Sequence, residues 1–264
     1  MNYSMRSARI ILLPRAAAQT YGRIVRRASW GYETVLGLLF AIVWLSFAVS
    51  PNDRKDWLLE NALAIAAAAA LIVLHRRLRF SRISYTLIFV FMCLHQVGAH
   101  YTYSLVPYDR WFEVVFGRPF NPLVGWERNN FDRVVHFAYG LLLAYPIREI
   151  FLRVADVKGF WGYFLPLDLT MSTSMIYELL EWAAAAAFGG DLGQAYLGTQ
   201  GDVWDAHKDM ALASAGALIA MGITALINWR LQRDFSREWL ASLRVKREGP
   251  LGEEQIARMM RKRR

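Results

Sequence analysis

The sequence predicts an all-α, polytopic membrane bundle of about six transmembrane helices, with both ends on the cytoplasmic side. Three observations predict it. Apolar residues make up 55% of the 264-residue chain, more than an ordinary soluble domain carries. They gather into continuous blocks, several of which reach the roughly 20 helical residues needed to cross about 30 Å of hydrocarbon. The 31 Lys and Arg residues collect in alternate loops and at the two ends. The blocks are rich in Ala and Leu and do not alternate with polar residues, which argues against a membrane β-barrel.

The expected spans are 31–50, 57–74, 83–104, 132–152, 160–188 and 207–228. They divide the chain into a basic N-terminal arm (1–29), a transmembrane domain (30–228) and a charged C-terminal tail (229–264). The arm holds Arg6, Arg9, Arg15, Arg23, Arg26 and Arg27 and no acid. Its apolar piece Ile10–Leu13 ends at Pro14, too short for a signal-peptide core. An organelle transit peptide shares this Arg-rich, acid-free character. A basic cytoplasmic arm along the membrane surface is the preferred reading. With the N-terminus inside, 24 of the 31 basic residues fall on the cytoplasmic side, so the positive-inside rule gives N-in and C-in. Trp57, Trp111, Trp126, Trp182 and Trp204 fall near one expected interface, and Trp30, Trp161, Trp229 and Trp239 near the other, as aromatic belts do. The Ala66–Ala70 and Ala183–Ala187 runs are expected to let helices pack closely.

The composition also limits function. A net charge of +9 on a soluble protein would suggest nucleic acid. Here the excess lies at the ends and in short loops, so orientation and attraction to anionic headgroups account for it, and no nucleic-acid partner is expected. The lone Cys93 excludes an internal disulfide. No CxxC, P-loop, GxGxxG or HExxH motif is present.

The informative residues are ionisable groups inside apolar spans, where each charge costs roughly 2.5–3.5 kcal/mol on insertion scales. In span four, Asp132 and His136 are i and i+4 and share a helix face, about 40° apart. Asp132 could cap the helix, or orient His136 as a general acid or base. In span five, Glu178 and Glu181 lie about 60° apart with Ser174 a turn below Glu178. They could bind a metal, share a proton or bond Tyr and Arg groups. Asp202, Asp205 and Asp209 open span six. If the helix begins by Asp202, the three form one stripe, and like charges so close are naturally resolved by a cation. That cation would be Mg²⁺, Mn²⁺ or Ca²⁺ on oxygen ligands, or Zn²⁺ if a histidine joins. The bland alternative has Asp202 capping the helix and the others hydrated. The preceding Gly198-Thr199-Gln200-Gly201 reads as a tight turn. His95 and His100 are about 140° apart and should not share one ion. With this topology every one of these acids maps to the outer half, which predicts a polar pocket open to the outside. Asp168 alone lies deep in the inner half.

At these same residues the sequence resembles the YjdF-like family of bacterial inner-membrane proteins, whose activity is uncharacterised. The resemblance rests on Asn130-Phe131-Asp132-Arg133, His136-Phe137, Arg148-Glu149, Ser172, Ser174, Tyr177-Glu178 and Glu181-Trp182. It continues through Gly198-Thr199-Gln200-Gly201-Asp202-Val203-Trp204-Asp205 and Asp209-Met210. It covers about residues 30–228 and implies a multi-pass protein of the bacterial inner membrane. A looser similarity links the Asp132…His136 helix, the span-five acid and Asp209 to VanZ-like membrane proteins, and carries no mechanism.

Three functional readings remain open. The first is a metal-assisted hydrolase or transferase on a lipid or envelope substrate at the outer leaflet. Asp202, Asp205 and Asp209 would hold the metal, Glu178 or Glu181 would complete its shell or act as base, and His136 with Asp132 would exchange protons. The second is a proton- or cation-coupled transporter, weakened by the absence of visible repeats and by the clustering at one face. The third is a scaffold whose polar network only joins helices.

Overall fold

The structure, a computed structural model, describes residues 15–190, 199–246 and 251–262, with side chains from residue 31 onward except those of Phe188 and Leu251. Its regular elements are all helical: α1 (Arg15–Ala48), α2 (Arg54–Leu74), α3 (Arg82–Tyr101), α4 (Tyr108–Phe116), α5 (Asn121–Val124), α6 (Phe131–Val154), α7 (Trp161–Phe188), α8 (Asp205–Leu231), α9 (Phe235–Ser242) and α10 (Leu251–Lys262). Among the described residues, five helical segments are long and apolar enough to cross a membrane: Gly31–Ala48, α2, α3, α6 and α8. The 28-residue α7 is also long enough, at about 1.5 Å per residue. It carries Asp168, Glu178 and Glu181 and is not among those five. The protein is a polytopic helical membrane protein.

Several boundaries differ from expectation for local reasons. The described part of the basic arm is not separate from the first span, because α1 runs unbroken from Arg15. Residues 1–14, and the side chain of Trp30, lie outside the described residues. α2 begins earlier than expected, because Asp53 caps it by accepting from the backbone N–H groups of Lys55 (2.7 Å) and Asp56 (3.0 Å). That shift brings Asp56 into the helix. α3 stops at Tyr101, because Thr102 takes a left-handed φ of 55°, and a 3₁₀ turn (Tyr103–Leu105) follows. The long loop holds two short helices, α4 and α5. Trp57 is not an interface anchor: it is buried, 5.6 Å from Trp44 ring to ring. Nor does the Ala66–Ala70 run mediate packing within the chain, since most of it is exposed on α2.

The tightest packing is instead between α6 and α8. A Cβ on Gly140 would lie 1.8 Å from the Ala213 carbonyl oxygen, and one on Gly216 would lie 2.2 Å from that of Phe137. The backbones therefore touch where Ala144, Ala213 and Ala217 fill the remaining space, the small-residue contact favoured between helices in lipid.

Polarity in the bundle is inverted relative to a soluble protein. The largest fully buried side chains include Gln96, Asn61, Asn130, Thr170, Asp56 and Asp209, whereas Leu, Ile and Val line the exterior of α1, α2 and α8. A lipid surround accounts for that exterior, because apolar side chains gain nothing by leaving hydrocarbon. At the end opposite α4, Glu149 of α6 closes the start of α3. It accepts from Ser81 N (2.9 and 3.0 Å) and Ser84 Oγ (2.6 Å), and pairs with Arg153 (2.9 Å). Charged hydrogen bonds of this kind contribute roughly 1.5–3 kcal/mol each. Glu149→Gln is therefore expected to cost about 2 kcal/mol, read by thermal unfolding in detergent.

Candidate functional site

The polar interior forms a layer near the α4 end of the bundle. The amino-terminal turns of α2, α6 and α8 and the carboxy-terminal turns of α3 and α7 meet there. α6 contributes Asp132 and His136. Asp132 does not cap its helix, since Asn129 Oδ1 accepts from Phe131 N (3.0 Å) ahead of it. It therefore turns its carboxylate to His136, whose Nε2 lies 3.5 Å from Asp132 Oδ1 and 3.5 Å from Glu178 Oε1. Asp209 of α8 completes this centre. One ligand atom each of Asp132, His136 and Asp209 lies within 4.8 Å of the others, the group among the described residues suited to a metal ion. His136 and Asp209 are buried. Asp209 Oδ1, Glu178 Oε1 and the Ser174 hydroxyl have no hydrogen-bond partner.

The expected stripe of three aspartates is not what the chain forms. The helix begins at Asp205, not Asp202. Thr199–Asp202 is a tight turn closed by Asp202 N donating to Thr199 O (2.9 Å), with positive φ at Gln200 (48°) and Gly201 (86°). That is the pattern of a type I′ turn and explains the glycine. Gly198 lies outside the described residues. Asp202 takes Arg133 (2.5 Å) and Lys208 (2.5 Å) as partners. The Lys208 ammonium, followed by the Trp204 N–H and Arg133, holds its carboxyl well below the usual carboxylate range. Asp205 is buried between Arg128 and Arg133. The repulsion that called for a cation is thus answered for two aspartates by arginine and lysine, and Asp209 alone faces the α6 centre. His207 is exposed and joins nothing there.

Glu181 lies beside Glu178 and Tyr177 at the edge of the layer. Tyr177 packs edge-on against His136 (5.8 Å between ring centroids) and donates to Glu60 Oε2 (3.2 Å). His95 bonds Tyr103, and His100 faces the Phe47 carbonyl (2.8 Å), so the two histidines do part company. Asp168 is exposed on α7 and takes no part. Two sets of residues were not read as part of the site in the sequence. Arg128 counted there only among the basic residues, and Arg133 only among them and in the resemblance. Asp56 and Glu60, i and i+4 in an otherwise apolar helix, carried a signal that a later helix start concealed.

Fold and site together define a multi-pass helical membrane protein with an acidic and histidine-bearing layer buried toward one end. The family model described as "Predicted membrane protein (DUF2238)" matches residues 32–230. The inner membrane protein YjdF of Escherichia coli (strain K12) is 35% identical over 199 residues, 75% of this chain and 91% of that protein. The chain belongs to this YjdF-like family. No solved structure matches it.

Proposed function

We propose that the chain is a multi-pass inner-membrane protein with both ends in the cytoplasm. On this reading it is a metal-assisted hydrolase or transferase acting on a lipid or envelope substrate at the outer leaflet. The observation that carries the reading is the convergence of Asp132, His136 and Asp209 within 4.8 Å, with Asp209 Oδ1 lacking any donor. Two carboxylates and one imidazole are a ligand set suited to Zn²⁺ or Mn²⁺, leaving coordination open. When bound, such an ion polarises a carbonyl or phosphoryl oxygen and acidifies a coordinated water.

The remaining roles fall to the chain itself. Glu178, 3.5 Å from His136 Nε2, orients the imidazole and is placed to take a proton. Glu181 lies beside it. Arg128 and Arg133 fix the α6–α8 junction through Asp205. The amphipathic α4 lies at the same end and exposes Trp111, Val114, Val115 and Phe116, an apolar surface suited to the boundary from which a lipid substrate would come.

Metal content of the purified protein tests the reading. Wild type is expected to hold about one Zn²⁺ or Mn²⁺ per chain. Asp132→Asn and Asp209→Asn should each lose at least tenfold in affinity, while Asp202→Asn keeps the metal. No metal in wild type after incubation with Mg²⁺, Mn²⁺ and Zn²⁺ would sink the metalloenzyme reading.

A further inference from the structure

At the end of the bundle away from the acidic layer, α8 and α9 meet at a corner. The short α9 is fixed by its polar side to the turn before α7. Gly159 N donates to Glu238 Oε1 (3.2 Å), Phe160 N to Ser242 Oγ (2.9 Å) and Trp161 Nε1 to the Ser242 carbonyl (2.9 Å). Gly159 permits this approach, since its φ is +59° and an added Cβ would lie 2.5 Å from Ser242 Oγ. Held there, α9 leaves a groove of about 510 Å³ against α8, within the range of small-molecule sites, roughly 300–1,000 Å³. Ala225, Leu226 and Trp229 form the α8 wall, and Ser236 and Leu240 the α9 wall. Phe235 and Trp239 line its inner side, where they pack on Tyr163 (6.1 and 5.5 Å between ring centroids). Leu226, Trp229 and Leu240 are exposed at its mouth. Charge surrounds this apolar cleft on one side. From Trp229 to Lys246 the chain carries five basic residues and two acids. Of the acids, Asp234 pairs with Arg237 (3.4 Å) and Glu238 accepts from Gly159. Arg230, one turn beyond Leu226, and Arg233, between α8 and α9, are exposed and have no acid partner among the described residues.

We propose that the α8–α9 groove binds one anionic phospholipid of the bilayer. An acyl chain would lie along Ala225, Leu226 and Leu240, and the phosphate would meet Arg230 and Arg233. Three features select this occupant. The groove opens at the end of a membrane-spanning helix, where the indoles of Trp229 and Trp239 suit the boundary between hydrocarbon and headgroups. Its lining is apolar and aromatic apart from the Ser236 hydroxyl, which suits an acyl chain and gives a free anion nothing to bond. The two unpaired arginines call for a headgroup with no cation of its own, and anionic lipids attract such residues. The exposed Ile256, Met259 and Met260 of α10 offer a rival occupant, but that helix is itself net positive and complements the arginines poorly. The site does not depend on the metal reading of Asp132, His136 and Asp209. Trp229 follows Asp209 by 20 residues on α8, roughly 30 Å along the helix.

The test titrates the full chain, purified in a neutral detergent, with phosphatidylglycerol or phosphatidylcholine and counts bound lipid by native mass spectrometry. One phosphatidylglycerol per chain is expected, held about tenfold or more tightly than phosphatidylcholine. Arg230→Gln and Arg233→Gln should each weaken phosphatidylglycerol about fivefold and leave phosphatidylcholine unchanged, and the double variant should lose the preference. Ser236→Phe, at an exposed position, should fill the groove and weaken both lipids. Asp209→Asn should bind as wild type does, which separates this site from the acidic layer. Equal affinity for the two lipids would overturn the proposal, as would a preference that survives the double arginine variant or lipid binding untouched by Ser236→Phe. Competition by glycerol phosphate, which has the anion but no acyl chain, would overturn it in favour of a free phosphate. Loss of binding in a chain ending at Lys246 would assign the lipid to α10 instead. A wild-type dimer that takes up no lipid would show a second copy of the chain covering the groove.

Discussion

Gly140→Leu is expected to abolish the folded protein, and Gly140→Ala to lower its stability by about 3 kcal/mol or more. The reason lies in what the new atoms meet. Overpacking against side chains typically costs about 1–3 kcal/mol, because rotamers can give way. At Gly140 the obstacle is the backbone of α8, with the Ala213 carbonyl oxygen 1.8 Å from the added Cβ. Relief requires the two helices to part. That separation would reach the site directly: His136 precedes Gly140 by one turn on α6, and Asp209 precedes Ala213 by one turn on α8. Gly216→Ala meets the Phe137 carbonyl at 2.2 Å and should behave alike. Gly222, whose added Cβ would meet nothing within 4 Å, is the control: Gly222→Ala should be neutral or slightly stabilising. Size-exclusion profile and thermal midpoint in detergent read all three. A Gly140→Ala protein as stable as wild type would show that the backbones do not touch.

Arg128→Met should cost about 3 kcal/mol, because a buried carboxylate is left short of its counter-charge. Arg128 bonds both Asp205 and the Thr199 carbonyl, so one side chain neutralises the start of α8 and anchors the turn before it. Adding Asp205→Asn should recover more than half of the loss, since the double variant buries no unpaired charge. That recovery is the informative result: a merely bulky Arg128 would be rescued by nothing at position 205. Lys208→Ala should do little by comparison, because Lys208 is half exposed and its pair with Asp202 is screened by solvent. The depressed carboxyl of Asp202 keeps it ionised at neutral pH. What it contributes is present above the ordinary carboxylate range and is lost as the pH falls toward its own value.

Much of this architecture could be read from residue order. Length and continuity of the apolar blocks located α2, α3, α6, α7 and α8 to within a few residues, because lipid imposes one spacing on every span, whereas α1 starts at Arg15, well before its expected span. The shared face of Asp132 and His136, and that of Ser174 and Glu178, followed from helical periodicity, which is local. The pairing across helices was not legible. Whether Asp202, Asp205 and Asp209 share one ion depends on where α8 starts and on which side chains reach across from the loop before α6. Arg128 and Arg133 settle the first two of those charges, and they lie more than 65 residues away in the chain. Asp56 was hidden by a shift of a single turn in α2. The Ala66–Ala70 run misled for the opposite reason: small residues permit close approach but do not compel it, and α6 and α8 made theirs at two isolated glycines.

The inverted polarity of the bundle bears on how such a sequence can drift. On the exterior of α1, α2 and α8, Leu, Ile and Val meet only fluid hydrocarbon, and one such residue replaces another at almost no cost. In the interior, several polar groups and glycines answer a named partner on another helix, as Gln96 does Asn61, Glu60 does Tyr177 and Gly140 does Ala213. Sequences descended from a common ancestor should therefore diverge fastest on their most apolar surface and slowest in their most polar layer, the reverse of the pattern in a water-soluble domain. A stranger's copy of this fold would be recognised first by Asn61, Gln96, Asn130 and Asp209, and last by its greasy stretches.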